Sequence, residues 1–138
     1  MKYAVLFIAL LFAGCGEATP TLDGGETITI SGKTIQVAKE DFPEDMNWDD
    51  AMNACQNLGN GWRLPSIEEL KVMCEQLHMK GEGNFKDKSY WSSSESFIEG
   101  DPHLAWIIEF RKGKEGRARD LYKFNSSGTR VRAVRALP

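Results

Sequence analysis

Three observations predict an α+β domain: two alternating β-branched runs around residues 27–37, two consecutive stretches of helical apolar spacing, and a C-terminal third of alternating, strand-like segments. The order along the chain is a hairpin, two helices, then mostly antiparallel strands.

Thr27-Ile28-Thr29-Ile30 and Lys33-Thr34-Ile35-Gln36-Val37 flank the turn signal Ser31-Gly32, the pattern of a hairpin. Asn47 can cap a helix in which Trp48, Ala51, Met52, Cys55 and Leu58 fall on one face. Asp49 and Asp50 suit its positive first turn, and Gly59 can end it. Ser66-Ile67-Glu68-Glu69 has the Ser-x-x-Glu form of a capping box and opens a second helix whose stripe is Ile67, Leu70, Cys74 and Leu77, ending near Gly81. Residues 81–88 read as a loop, and Tyr90-Trp91 begins a short strand bounded by serines. Leu104, Trp106, Ile108 and Phe110 alternate with Ala105, Ile107 and Glu109, which predicts a central strand with one wholly apolar face. Gly113 to Gly116 can turn it into a returning strand over 117–124, and residues 129–136 read as one last strand with Val131 and Ala133 on a shared face.

Lys2 followed by the uncharged run Ala4 to Ala13, much shorter than the roughly 20 residues of a spanning helix, reads as an export signal. Ala13-Gly14-Cys15 resembles the lipobox of bacterial lipoproteins, which implies cleavage before Cys15 and its acylation. Gly16 stands where an inner-membrane lipoprotein often has aspartate, so the resemblance implies the outer membrane. The expected organisation is a signal peptide over 1–14, a lipidated tether over 15–25 with little to bury, and a single domain over 26–138.

The chain of 138 residues has a net charge of −3, unevenly spread: residues 15–103 carry 7 Lys/Arg and 17 Asp/Glu, and residues 104–138 carry 9 and 3. One reading is internal balance between acidic helices and a basic sheet; the other is a basic ribbon of Arg111, Lys112, Lys114, Arg117 and Arg119 offered to a polyanion. For an exported protein that polyanion is an anionic glycan or lipopolysaccharide, not nucleic acid.

Trp48 and Ala51 leading to Cys55, then Gly61-Trp62-Arg63-Leu64-Pro65 before the Ser66 helix, then Tyr90-Trp91-Ser92-Ser93, then Val131-Arg132-Ala133-Val134-Arg135 resemble the Lcl C-terminal-domain family. This is a domain of unknown function that includes the C-terminal domain of a bacterial collagen-like adhesin. The similarity covers about residues 33–136. It implies a C-type-lectin-like fold, two helices packed on a small twisted antiparallel sheet with a long loop region, serving as a binding module. In many relatives the first-helix cysteine is matched by one in the closing strand, where this chain has Ala133, so that bridge is impossible here.

Cys55 and Cys74 remain, either bonded to each other or as two buried thiols. Pro65 pre-sets the turn before Ser66, and Trp62 and Leu64 can point inward on either side of Arg63. Arg63 suits a structural fork to Glu69 or to loop carbonyls, with ligand contact as the other reading. Trp91 and Trp106 read first as core; Trp106 or Tyr122, if exposed, could stack on a sugar. Ser92 to Ser94 lack His and Asp partners for nucleophilic work. His78 and His103 are the only histidines and have no zinc cluster around them, and Glu95, Glu99 and Asp101 fit no calcium loop. No cofactor and no catalytic residue is expected. Three functions compete: a binding module for a glycan or envelope partner, a structural envelope lipoprotein, and, as an enzymatic alternative, a lectin-fold protein of the formylglycine-generating type.

Overall fold

The computed structural model describes residues 19–138, so the expected leader and Cys15 lie outside the described residues. Among those described, no helix is long and apolar enough to cross a membrane.

β1 (Thr27–Ile30) and β2 (Lys33–Val37) form the predicted hairpin, with Ile28 opposite Ile35. Ser31 and Gly32 both take positive φ, 49° and 75°, the two-residue turn whose twist matches that of the strands it joins. β7 (Val134–Ala136) pairs antiparallel with the other side of β2, giving a three-stranded sheet ordered β1-β2-β7. The two ends of the domain therefore close on each other.

α1 (Trp48–Asn57) begins where the Asn47 side chain accepts the Asp50 amide at 2.9 Å. α2 (Ile67–Gln76) opens with both halves of the capping box, then passes through one 3₁₀ turn to Gly81, whose φ of 72° stops it. The second sheet contains β3 (Ser89–Ser96), β4 (Leu104–Arg111), β5 (Lys114–Tyr122) and β6 (Thr129–Arg130) in the order β5-β4-β3-β6. The class is α+β, two helices packed with two curled sheets in place of the single one expected.

Three expectations change. Residues 129–136 are not one strand: β6 runs parallel to β3, β7 joins the other sheet, and between them the carbonyls of Val131 and Ala133 accept the amides of Phe42 and Ala38. Nor does β4 have one apolar face. Ala105 and Ile107 are buried with Trp48, Ala51, Cys55, Trp62 and Trp91, whereas Ile108 and Phe110 are buried with Leu70, Met73, Cys74 and Tyr90. The physical reason is that each face of this sheet has its own helical cover at a different point along β4, which leaves Trp106 half-buried.

The third change concerns the tether. Pro20 is buried, Leu22 packs on the core beside α1, and the Thr21 carbonyl accepts the Glu40 amide, so 20–25 follow the domain surface. Gly25 is pressed so closely to the chain that a Cβ there would stand 2.0 Å from the Val37 carbonyl oxygen.

Candidate functional site

The Gly-Trp-Arg-Leu-Pro-Ser motif is an internal junction. Arg63 bridges β7 by exchanging backbone hydrogen bonds with Val134, and its guanidinium forks onto Glu69, Nη1 to Oε1 at 2.6 Å and Nη2 to Oε2 at 2.8 Å. The same Glu69 carboxylate accepts the Ser66 amide, and the Ser66 hydroxyl accepts the Glu69 amide. Burial alone would raise the Glu69 carboxyl; the Arg63 fork and the Ser66 groups outweigh it and hold it below the usual carboxylate range. Trp62 is buried and lies under the Arg135 guanidinium at 4.7 Å.

Ser66→Ala should lower stability by about 1 kcal/mol, read from denaturant midpoints at constant slope. The Glu69 pair has its own pH signature. Because the folded carboxyl sits lower than the unfolded one, near ~4.3, its stabilisation is complete above that value and is lost as pH falls through the depressed folded value. Arg63 is half exposed, so solvent screening keeps this contribution small.

β3 carries the second junction. Its pairing with β4 breaks between Trp91 and Glu95, and the backbone freed by that bulge is satisfied from elsewhere. The Ser92 carbonyl accepts the Trp48 indole N–H at 2.8 Å, the Ser93 amide donates to the Pro65 carbonyl at 2.7 Å, and the Ser92 hydroxyl takes the Ser94 amide while donating to the Trp106 carbonyl at 2.7 Å. Ser94 in turn accepts the Ile67 amide at the start of α2. Trp91, fully buried, donates its indole N–H to the Met46 carbonyl. The serines are thus engaged in holding two helices to a sheet.

Arg132, which sequence reasoning mentioned only as part of the closing motif, makes the most side-chain hydrogen bonds among the described residues. At 1% exposure it donates to Asp41 Oδ1 at 2.7 Å and to the carbonyls of Ala38, Gly83 and Asn84, with its guanidinium 4.2 Å from the centre of the Phe85 ring. Asp41 also accepts the Tyr90 hydroxyl at 2.8 Å and the Arg130 Nε–H at 3.3 Å. Burial, and then the neighbouring Asp41 charge, push the Tyr90 phenol upward. The available signal was an arginine flanked by Val131 and Ala133 in a segment predicted to be a strand; Asp41 gave none, since it stands in a charged stretch with Lys39, Glu40, Glu44 and Asp45.

Cys55 and Cys74 are both free and buried, and they belong to different core clusters, so the candidate bridge is not formed. Each helix turns its cysteine towards its own face of the sheet. Glu95 is paired with Lys123, and Asp101 accepts the His103 amide. No group of three His, Cys, Asp or Glu among the described residues is placed to hold a metal ion.

Three surfaces remain for a partner. The first is the β4–β5 hairpin, whose turn at Lys112-Gly113 places Gly113 at φ 64°. Arg111, Lys112, Lys114, Arg117 and Arg119 are all exposed. Arg119 is tied to Glu109, and Arg111 donates to the Glu115 carbonyl, whereas Lys112, Lys114 and Arg117 have no ion-pair partner among the described residues. Gly116 seats the hairpin on α2, since a Cβ there would meet Ile108 at 2.7 Å and the Cys74 sulfur at 2.9 Å.

The second surface lies at the far end of β5. Tyr122 and Phe124, 48% and 74% exposed, stack with ring centroids 5.1 Å apart, and Phe97 is 69% exposed in the β3–β4 connection. The third is a cleft of about 310 Å³ between the 42–47 loop and α1, lined among others by Glu44, Asp50, Asn53, Asn57 and Ser126 over Met46 and Ala54. Sequence reasoning did not single it out, because adjacency along the chain does not tell how the 42–47 loop folds against α1 or that Ser126 joins them.

A sequence search of curated proteins finds no match. Among solved structures, the crystal structure of EMS16, an antagonist of the collagen receptor integrin α2β1, is similar with a TM-score of 0.44 and 15% sequence identity, over 78% of this chain and 93% of that one. The model of the Lcl C-terminal domain matches residues 26–135, from the first strand to the last. The chain belongs to the Lcl C-terminal domain family.

Proposed function

We propose that the protein is a non-catalytic binding module, exported and anchored through Cys15 to the outer membrane, whose β4–β5 hairpin recognises an anionic glycan. The observation that carries this reading is the uncompensated charge at the hairpin: Lys112, Lys114 and Arg117 project from a turn and an edge strand without a carboxylate of their own. An edge strand gains protection from unwanted pairing by such charges. That accounts for lysine and arginine along β5, but not for the concentration of free cations at the tip.

A sulfated oligosaccharide is the probe. Binding should weaken steeply between low and physiological salt, as expected for exposed charges beyond a Debye length of roughly 10 Å at 0.1 M. It should fall about tenfold or more when Lys112, Lys114 and Arg117 are all replaced by glutamine, with the thermal midpoint unchanged because these side chains bury little. Equal binding by the triple variant and the parent would overturn the reading.

A second reading, an envelope protein that packs on this domain, is favoured by the exposed Phe97, Tyr122 and Phe124. The same titration separates the two, since an apolar interface is insensitive to salt and to the hairpin substitutions.

A further inference from the structure

We infer that the cleft between the 42–47 loop and α1 is a saccharide site of its own, for a sugar bearing a free amino group. Its residues are separate from those of the hairpin, so the inference stands apart from the anionic-glycan reading.

The electrostatics come first. Glu44, Asp45 and Asp50 line the cleft, and no Lys, Arg or His does. Asp45 is already committed, accepting Arg130 Nη1 at 3.1 Å and the Gly128 amide at 2.8 Å. Asn47 is committed as the cap of α1. Glu44 and Asp50 have no ion-pair or side-chain hydrogen-bond partner among the described residues, so two carboxylates without a cationic partner flank the cleft, Asp50 at the positive first turn of α1. The ligand that complements it is a cation.

Charge alone would suit any amine. The remaining lining is more demanding. Asp50, Asn53, Ala54 and Asn57 recur at the spacing that places them on one stripe of α1, facing away from Trp48, Ala51 and Cys55 in the core. Each asparagine offers a donor and an acceptor side by side, which matches a hydroxyl that must both give and take a hydrogen bond. Ser126 adds another such group from the opposite wall, while Phe42, Pro43, Met46 and Ala54 give apolar surface for the C–H face of a ring. About 310 Å³ is at the small end of ligand clefts, suited to one ring at a time. Carboxylates for an ammonium, amides for hydroxyls and an apolar floor together describe an amino sugar better than a simple polyamine.

The test uses the mature protein and three probes in calorimetry: an oligomer of glucosamine, its N-acetylated counterpart of equal length, and spermidine. The glucosamine oligomer should bind about tenfold or more tightly than the acetylated one, which keeps the hydroxyls and lacks the charge, and more tightly than spermidine, which keeps the charge and lacks the hydroxyls. Asp50→Asn should weaken glucosamine binding about tenfold, and Asn53→Ala and Asn57→Ala should weaken it too. All three positions are exposed on a helix, so the fold should persist. The hairpin triple variant should bind the glucosamine oligomer as the parent does. Equal affinity for both oligomers, tighter binding of spermidine, no binding, or an unaffected Asp50→Asn variant would overturn the assignment.

Discussion

Arg132→Met is expected to destabilise the domain by about 3–5 kcal/mol, the cost typical of removing one partner from a buried ionic network. The substitution keeps most of the apolar volume, so the loss isolates the hydrogen bonds. The buried carbonyl of Ala38 and the part-buried carbonyls of Gly83 and Asn84 would lose this donor, and Asp41 would keep only Tyr90 and Arg130. Arg132→Lys should recover little, because one ammonium cannot reach carbonyls on two separate loops as a planar guanidinium does. Chemical denaturation of the three proteins measures this. A midpoint for Arg132→Met within about 1 kcal/mol of the parent would show that water replaces the lost donors.

Trp91→Ala is expected to be of similar size, about 3–5 kcal/mol, with the thermal midpoint lowered by roughly 10–20 °C. The indole is fully buried at the bulge of β3, and its removal both opens a cavity and leaves the Met46 carbonyl without its donor. Trp91→Phe separates the two effects, since it restores most of the volume but not the N–H. A Phe variant as unstable as the Ala variant would place the main effect on the hydrogen bond that holds the start of α1 to the sheet.

What was legible in the sequence was local. The Ser31-Gly32 turn, the Asn47 cap and the Ser66–Glu69 box each depend on residues within a few positions of one another, and each occurs in the fold. The parity of β4 was not legible, because whether Trp106 or Ile107 turns inward depends on which helix lies over that stretch, a property of tertiary packing. The division of 129–136 between two sheets is likewise decided by partners, β3 on one side and β2 on the other. Arg132 and Asp41 are 91 residues apart, and no spacing rule joins them. The hairpin charges were legible as a cluster of residue types; which of them are free was not, since Arg119 finds Glu109 only across the register of β4 and β5.

The two unpaired thiols give the domain a built-in pair of reporters. Burial pushes Cys55 up to about 12, and burial also raises Cys74 against the opposing influence of the Gly116 amide, so neither is an appreciable thiolate at neutral pH while folded. Alkylation therefore waits for the chain to open. Because Cys55 sits on the α1 side of the sheet and Cys74 on the α2 side, the labelling rates at the two positions time the opening of each half separately. Equal rates would mean that the two cores come apart as one cooperative unit; unequal rates would identify which helix leaves first.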